Sequence, residues 1–98
     1  MVISMKVTIV HVHPEGDGVT GLYINDELYR DGDEYHDKIG KWVEGFLEGL
    51  KRAGAPFVVD TLYVTDESCP DGDLKYDLQM DIPEQLSDYP EGTLTEVY

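Results

Sequence analysis

One apolar stripe of helical period lies in the middle of the chain, with strand-like patterns on both sides of it. Within a predicted helix from Asp33 to Ala53, the stripe consists of Tyr35, Ile39, Trp42, Val43, Phe46 and Leu50. Side chains at this spacing share one face of a helix, and that face must be buried against another element. A single helix cannot do this alone, so the flanking segments are expected to supply a sheet.

The ends of this helix carry recognisable signals. Asp31 and Glu34 have the spacing of a capping box at the N-terminus, and Gly54 with Pro56 supplies the stop. Three interior glycines are unusual, because each costs about 1 kcal/mol relative to alanine. We expect either a close approach of another backbone or a bend at these positions, which are Gly40, Gly45 and Gly49.

Five segments are predicted to be strands. Before the helix, residues 6–13, 19–25 and 28–30 are rich in β-branched and aromatic types and are joined by turn residues, which indicates an antiparallel meander. After the helix, residues 57–65 form a strong strand pattern. The cleanest alternation in the chain follows in residues 74–82, where the apolar members are Leu74, Tyr76, Leu78, Met80 and Ile82.

These elements predict an α+β fold with a single, mainly antiparallel sheet in the order β-β-β-α-β-β and the amphipathic helix packed on one face. Trp42, Phe46 and Leu50 are expected to be buried. The length suits one domain spanning residues 1–98. Residues 83–89 are expected to form a short helical turn, and residues 93–98 an edge strand or a tail.

Acidic residues are distributed unevenly along the chain. There are 21 Asp and Glu against seven Lys and Arg, a formal net charge of −14. Four of the cations fall in the predicted helix, and the rest of the chain holds 16 acids against three cations. This charge excludes nucleic acid and anionic membranes as direct partners and attracts a basic protein surface.

The acids of the second half are interleaved with tyrosines, a combination suited to docking on a surface rich in Arg and Lys. The function predicted from this is an acidic protein-binding module whose partner is a basic protein, including a nucleic-acid-binding one. The competing interpretation is that the acids only keep a small domain soluble. The predicted partner-binding residues are Asp60, Asp66, Glu67, Asp71, Asp73, Tyr76, Asp77, Asp81, Glu84 and Asp88.

His11 and His13 are the alternative functional residues. Two residues apart on a strand, they would point the same way and could share a metal ion, with Asp17 or His36 completing the site. The alternative function is therefore a small metal-binding or regulatory domain. The simpler interpretation is two histidines at the solvated end of a strand, and the sequence prediction includes no metal and no cofactor.

The sequence contains no nucleophile–base pair and no phosphate-binding loop, so we predict that the protein is not an enzyme. The single Cys69 cannot form an internal disulfide, which is typical of a reducing cytoplasm. We find no signal-peptide pattern and no apolar stretch near the roughly 18 residues that a membrane span requires. Self-association as a homodimer, through Gly45 and Gly49 or through an open strand edge, is a further expectation.

The stretch from Leu22 to Gly32, followed by an amphipathic helix, resembles small phage and bacterial proteins. A small acidic chain of this type is similar to phage-encoded inhibitors, including DNA mimics and some anti-CRISPR proteins. The resemblance covers about a third of the chain, includes no diagnostic motif and carries over no functional residue. It implies a non-enzymatic protein that occupies the basic surface of a host protein.

The predicted strand 74–82 allows a geometric test of DNA mimicry. Asp73, Asp77 and Asp81 would lie four residues apart on one strand face, at intervals of roughly 13 Å. Phosphates advance about 3.4 Å along the axis of each DNA strand. One strand would therefore be too sparse, and other acids, such as Asp60, Glu84 and Asp88, would have to fill the gaps.

Overall fold

A computed structural model describes residues 4–14, 18–34, 37–69, 72, 74, 77–78 and 81–97. Three strands come first: β1 (Met5–Val12), β2 (Val19–Ile24) and β3 (Glu27–Asp33). The helix α1 (Ile39–Ala53), the strand β4 (Phe57–Val64) and a short 3-10 helix (Leu86–Asp88) follow. The predicted α+β class is confirmed, with one four-stranded sheet and the helix α1.

The sheet has the strand order β3-β2-β1-β4. β1 pairs antiparallel with β2, and β2 pairs antiparallel with β3, as in the predicted meander. β1 and β4 are parallel, in a register that places Val7 beside Val59 and Val12 beside Val64. Since α1 connects β3 at one edge to β4 at the other, β4 can run in the same direction as β1.

The helix α1 packs on one face of the sheet, which we call the helix face. Alternate residues of β1 and β2 supply the sheet side of this contact, and the buried cluster consists of Val7, Ile9, Leu22, Ile39 and Val43. The prediction that Trp42, Phe46 and Leu50 would be buried is wrong in detail, because all three are half-buried at the margin of the cluster. Within the stripe, Ile39 and Val43 face the centre of the sheet, and the larger side chains lie at the margin of the contact.

The C-terminal part of the chain covers the other face of the sheet, which we call the opposite face. Val10 and Val12 point to this side because side chains alternate along β1. They pack with residues from beyond β4, and the full buried cluster is Val10, Val12, Tyr23, Val64, Cys69, Leu78, Ile82 and Tyr89. The sheet therefore lies between two covering layers.

The described residues of the predicted fifth strand, which are 74, 77–78 and 81–82, are not in a strand. Gly72, Leu74, Asp77 and Leu78 have helical backbone, and the Asp81 amide donates to the Asp77 carbonyl at 2.9 Å, which is a helical i to i−4 bond. The reason is an ambiguity of period. The apolar residues of the strand pattern are two positions apart, so every other one is four positions apart. Leu74, Leu78 and Ile82 therefore fit one side of a helix as well as one face of a strand.

The helix α1 begins later than predicted, and the predicted capping box is wrong. β3 continues to Asp33, whose partner in the register is Val19, so Asp31 is part of a strand and cannot cap a helix. The N-cap residue is Lys38, in a left-handed conformation with φ 49° and without a side-chain cap. At the C-terminus, Gly54 has φ 71°, as expected for a glycine stop.

Replacing Gly45 and Gly49 with alanine is expected to raise the free energy of unfolding by about 1 kcal/mol at each position. A Cβ at either glycine would meet no described atom within 4 Å, so the predicted close approach does not occur at these two positions, whereas a Cβ at Gly40 would lie 2.6 Å from the Glu34 carboxylate. Urea denaturation of the double variant measures the gain. The control is Gly54→Ala, which should destabilise because of the positive φ. A loss of stability in the double variant would contradict this assignment.

Candidate functional site

The acidic second half of the chain lies over the face of the sheet opposite to α1. Its apolar side chains, among them Cys69, Leu78, Ile82 and Tyr89, point into the cluster on that face. Its acids point outward. We call six of these exposed acids, those described between β4 and Tyr89, the acidic layer; they are Asp66, Glu67, Asp77, Asp81, Glu84 and Asp88.

The acidic layer has three parts. Asp66 and Glu67 lie in the turn that follows β4. Asp77 has helical backbone and Asp81 lies in a bend one helical turn further along, which corresponds to a rise of about 6 Å. Glu84 and Asp88 belong to the segment that crosses the opposite face, with Asp88 in the 3-10 helix.

Backbone hydrogen bonds hold both ends of this crossing segment. Near its start, the Leu28 amide donates to the Glu84 carbonyl at 2.7 Å, and the Leu86 amide donates to the Asp26 carbonyl at 2.9 Å. Near its end, Tyr63 and Thr95 exchange two backbone hydrogen bonds of 2.8 and 2.9 Å. The segment therefore runs from the β2–β3 turn to β4, and its acids are presented from a fixed backbone.

The remaining predicted partner-binding residues lie elsewhere. Asp60 is exposed on β4, its side chain projects from the opposite face, and its carboxylate is 3.7 Å from the ammonium group of Lys6. Asp71, Asp73 and Tyr76 lie outside the described residues. The predicted row of Asp73, Asp77 and Asp81 on a strand is wrong, because Asp77 and Asp81 are related by a helical turn.

His11 and His13 are engaged by different partners. The His11 ring stacks on Tyr63 with 5.5 Å between centroids, and its Nδ1 lies 3.1 Å from the hydroxyl oxygen of Thr20. Burial lowers the pKa of His11, and the charge of Glu34 partly opposes this. The imidazole is therefore held neutral, and its protonation costs stability as the pH falls below 6.5.

His13 follows the end of β1 in a left-handed conformation, with φ 55°. Its Nδ1 lies 3.2 Å from a carboxylate oxygen of Asp66, so it joins the end of β1 to the end of β4. Within the described part of the chain, no group of three His, Cys, Asp or Glu side chains is arranged to hold a metal ion. Asp17 and His36, the other predicted metal ligands, lie outside that part.

Sequence reasoning missed a buried pair of tyrosines beneath the acidic layer. The Tyr23 hydroxyl donates to the Pro83 carbonyl at 2.6 Å, and therefore accepts from the Tyr89 hydroxyl at 2.8 Å. Burial raises the pKa of Tyr23 to about 12, and it also raises the pKa of Tyr89. Both tyrosines lie in alternating or turn-rich segments, and neither has a local signal that identifies its partner.

A second cluster that the sequence did not reveal lies beside α1. Trp42 stacks on Phe46 with 5.4 Å between ring centroids, and Tyr29 from β3 contacts both rings. The guanidinium carbon of Arg30 lies 4.6 Å from the centroid of the Trp42 ring. Through this cation–π contact, Arg30, one of the few cations in the chain, covers the Trp42 ring at the margin of the helix face.

No protein-family model, curated protein or solved structure matches the chain. In the described part of the chain, no helix is both long enough and apolar enough to cross a bilayer. The functional interpretation therefore depends on the placement and chemistry of the residues themselves.

Proposed function

We propose that this protein is a non-enzymatic binding module that docks its acidic layer on the basic surface of another protein. The observation that carries the proposal is the separation of charge between the two covering layers. All six described Lys and Arg residues occur at or before Arg52. The exposed charged side chains that the structure describes in residues 66–88 are all acidic and lie over the opposite face, where Lys6 of β1 pairs with Asp60.

Charge that only maintained solubility would not need such a separation. In α1, Lys41, Lys51 and Arg52 accompany Glu44 and Glu48, so this layer is nearly neutral, and Arg52 lies 3.4 Å from Glu48. A surface of one sign accelerates encounter with an oppositely charged partner and aligns it. The proposed partner is accordingly a protein surface rich in Lys and Arg.

The helical spacing of Asp77 and Asp81 supports a nucleic-acid-binding partner in particular. Their rise of about 6 Å is close to two axial phosphate steps on one DNA strand, whereas the predicted strand would have separated them by roughly 13 Å. A protein that binds phosphates with Lys and Arg would meet carboxylates at a comparable interval. Inhibition of such a protein by occupation of its basic surface is the role that we propose.

Reversing Asp77, Asp81 and Asp88 to lysine is expected to slow association with the partner at least about tenfold, because attraction between charged surfaces sets the on-rate. The partner is captured from cell extract at low salt and again at about 1 M salt, where the screening length falls to about 3 Å. Association rates with the captured protein are then measured for each variant. Wild-type binding should be strong at low salt and lost at high salt.

The matched control reverses Asp37, Glu44 and Glu48 to lysine. Both triple variants change the net charge from −14 to −8, but the control places the change on and beside α1. The control is expected to bind almost as the wild type does. Equal losses in both variants would show that net charge alone matters, and a partner insensitive to either variant would refute docking through the acidic layer.

A further inference from the structure

The outer edge of β4 exposes backbone groups that continue an existing ladder. Tyr63 exchanges both of its backbone hydrogen bonds with Thr95, on the side of β4 that faces away from β1. Backbone groups alternate in direction along a strand, so Phe57, Val59 and Thr61 point to the same outer side as Tyr63. Among the described residues, none pairs with these three.

The chain's own C-terminal segment does not continue this pairing. An antiparallel extension of the Tyr63–Thr95 bridge would bring Val97 opposite Thr61. The Val97 amide donates instead to the hydroxyl of Thr95 at 3.2 Å, and the residue is 75% exposed. The open part of the edge therefore extends from Phe57 to Thr61.

The side chains along this edge are also exposed, which is unusual for a strand in a parallel pair. Such strands are normally covered on both faces. Here Val58 on the opposite face is 54% exposed and Val59 on the helix face is 40% exposed. The strand also lacks the proline, lysine or bulge that commonly protects a sheet edge from pairing.

Charge determines which occupant suits this edge. Asp60 projects from the opposite face, Asp66 and Glu67 follow the strand, and Glu96 follows the bridge at Thr95. A second copy would bring two chains of net charge −14 together, and antiparallel pairing over Phe57–Thr61 would place Asp60 near its own counterpart. A cationic segment would meet complementary charge, although at Asp60 it would share the carboxylate with Lys6, and the same backbone ladder would be available to it.

We propose that β4 receives an extended segment of the partner protein as a fifth strand, with Lys or Arg on the face of Asp60 and apolar residues on the face of Val59. This inference rests on the proposed docking to a basic protein and names how part of that protein is held. Main-chain hydrogen bonds to Phe57, Val59 and Thr61 supply affinity, and the alternating side chains supply specificity.

The test uses a synthetic peptide, Lys-Val-Lys-Thr-Lys-Val-Lys, and the same peptide N-methylated at its valines and threonine, whose N–H groups face β4 when the antiparallel pairing of Thr95 is continued. Both carry the same charge, but the methylated form cannot complete the ladder. We expect the first peptide to slow hydrogen exchange of the Val59 and Thr61 amides at least about tenfold, and the methylated peptide to bind at least about tenfold more weakly. Nuclear magnetic resonance reports both quantities on the full chain.

Thr61→Pro provides the test from the protein side. It removes an outward N–H that β1 does not use, and proline is tolerated on edge strands where the N–H faces solvent. Binding of the unmethylated peptide should fall at least about tenfold in this variant. The matched control, Thr61→Val, keeps the N–H and should bind normally, and the circular dichroism of both variants reports folding.

The outcomes separate this inference from the proposed function. If both peptides bind equally and the two amides stay unprotected, strand addition is refuted while docking to basic chains stands. If the corresponding peptide with glutamate in place of lysine binds as well, the preference for a basic partner is refuted. Protection of the amides that rises with protein concentration and without peptide would assign the edge to a second copy and overturn the inference.

Discussion

Ile39→Ala is expected to lower the free energy of unfolding by about 2–4 kcal/mol, the cost of removing a large aliphatic side chain from a filled core. Ile39 is fully buried and packs with Val7, Ile9 and Leu22 where α1 meets the centre of the sheet. For a domain of ordinary stability this is a large fraction of the total. Urea denaturation with comparison of midpoints and slopes measures the loss.

The control for this prediction is Leu50→Ala, on the same stripe of α1. Leu50 is only half-buried at the margin of the cluster, so its truncation should cost about 1 kcal/mol. From the sequence alone, Leu50 is expected to be buried together with Trp42 and Phe46. If Leu50→Ala proved more destabilising than Ile39→Ala, the observed orientation of α1 on the sheet would be refuted.

Tyr23→Phe is expected to cost about 2–3 kcal/mol, because two hydrogen bonds are lost together. The variant would leave the Pro83 carbonyl and the buried Tyr89 hydroxyl without the partner that each has now. An unsatisfied buried group costs about 1–3 kcal/mol, more than the net gain from an average hydrogen bond. Thermal or urea unfolding at neutral pH measures the difference.

Tyr89→Phe is the matched comparison and should cost only about 1 kcal/mol, since Tyr23 would still donate to Pro83.

The pair of Tyr23 and Tyr89 also predicts that the stability of the protein is sensitive to alkaline pH. Both tyrosines have a raised pKa in the folded protein and the ordinary value of 10 when unfolded. Their contribution is therefore complete below pH 10 and is lost as the pH rises toward 12. If the free energy of unfolding of the double variant Tyr23→Phe, Tyr89→Phe fell as much between pH 10 and pH 12 as that of the wild type, this assignment would be contradicted.

The segment around residues 74–82 shows why part of the fold could not be read from the sequence. Leu74, Leu78 and Ile82 satisfy the strand pattern and also recur at a helical interval, so periodicity does not distinguish the two. Their packing in one cluster with Val10 and Val12 decides the matter, because among the described residues only Thr95 pairs with the outer edge of β4, and the second face of the sheet needs a covering layer. That need is not visible in the local sequence.

The acidic layer, too, could be predicted from the sequence only in part. The acids of residues 60–88 could be recognised as an excess of one sign, and every one of them that the structure describes is exposed. Their position opposite α1 follows from the packing of Leu78, Ile82 and Tyr89, which lie far in sequence from their contacts on β1 and β2. The open edge of β4 depends on strand order, which no local pattern specifies.

The sequence by itself determined the meander, the helical stripe, the strand after it and the uneven charge, because each depends on periodicity or composition over a few neighbouring residues. Only the tertiary structure decided that β4 lies parallel to β1, that the last third forms a second layer, and that Tyr23 bonds to Pro83 and Tyr89. These features join residues up to 66 positions apart. Their stability comes from burying the second face of one sheet, a requirement of the whole chain that no single segment carries.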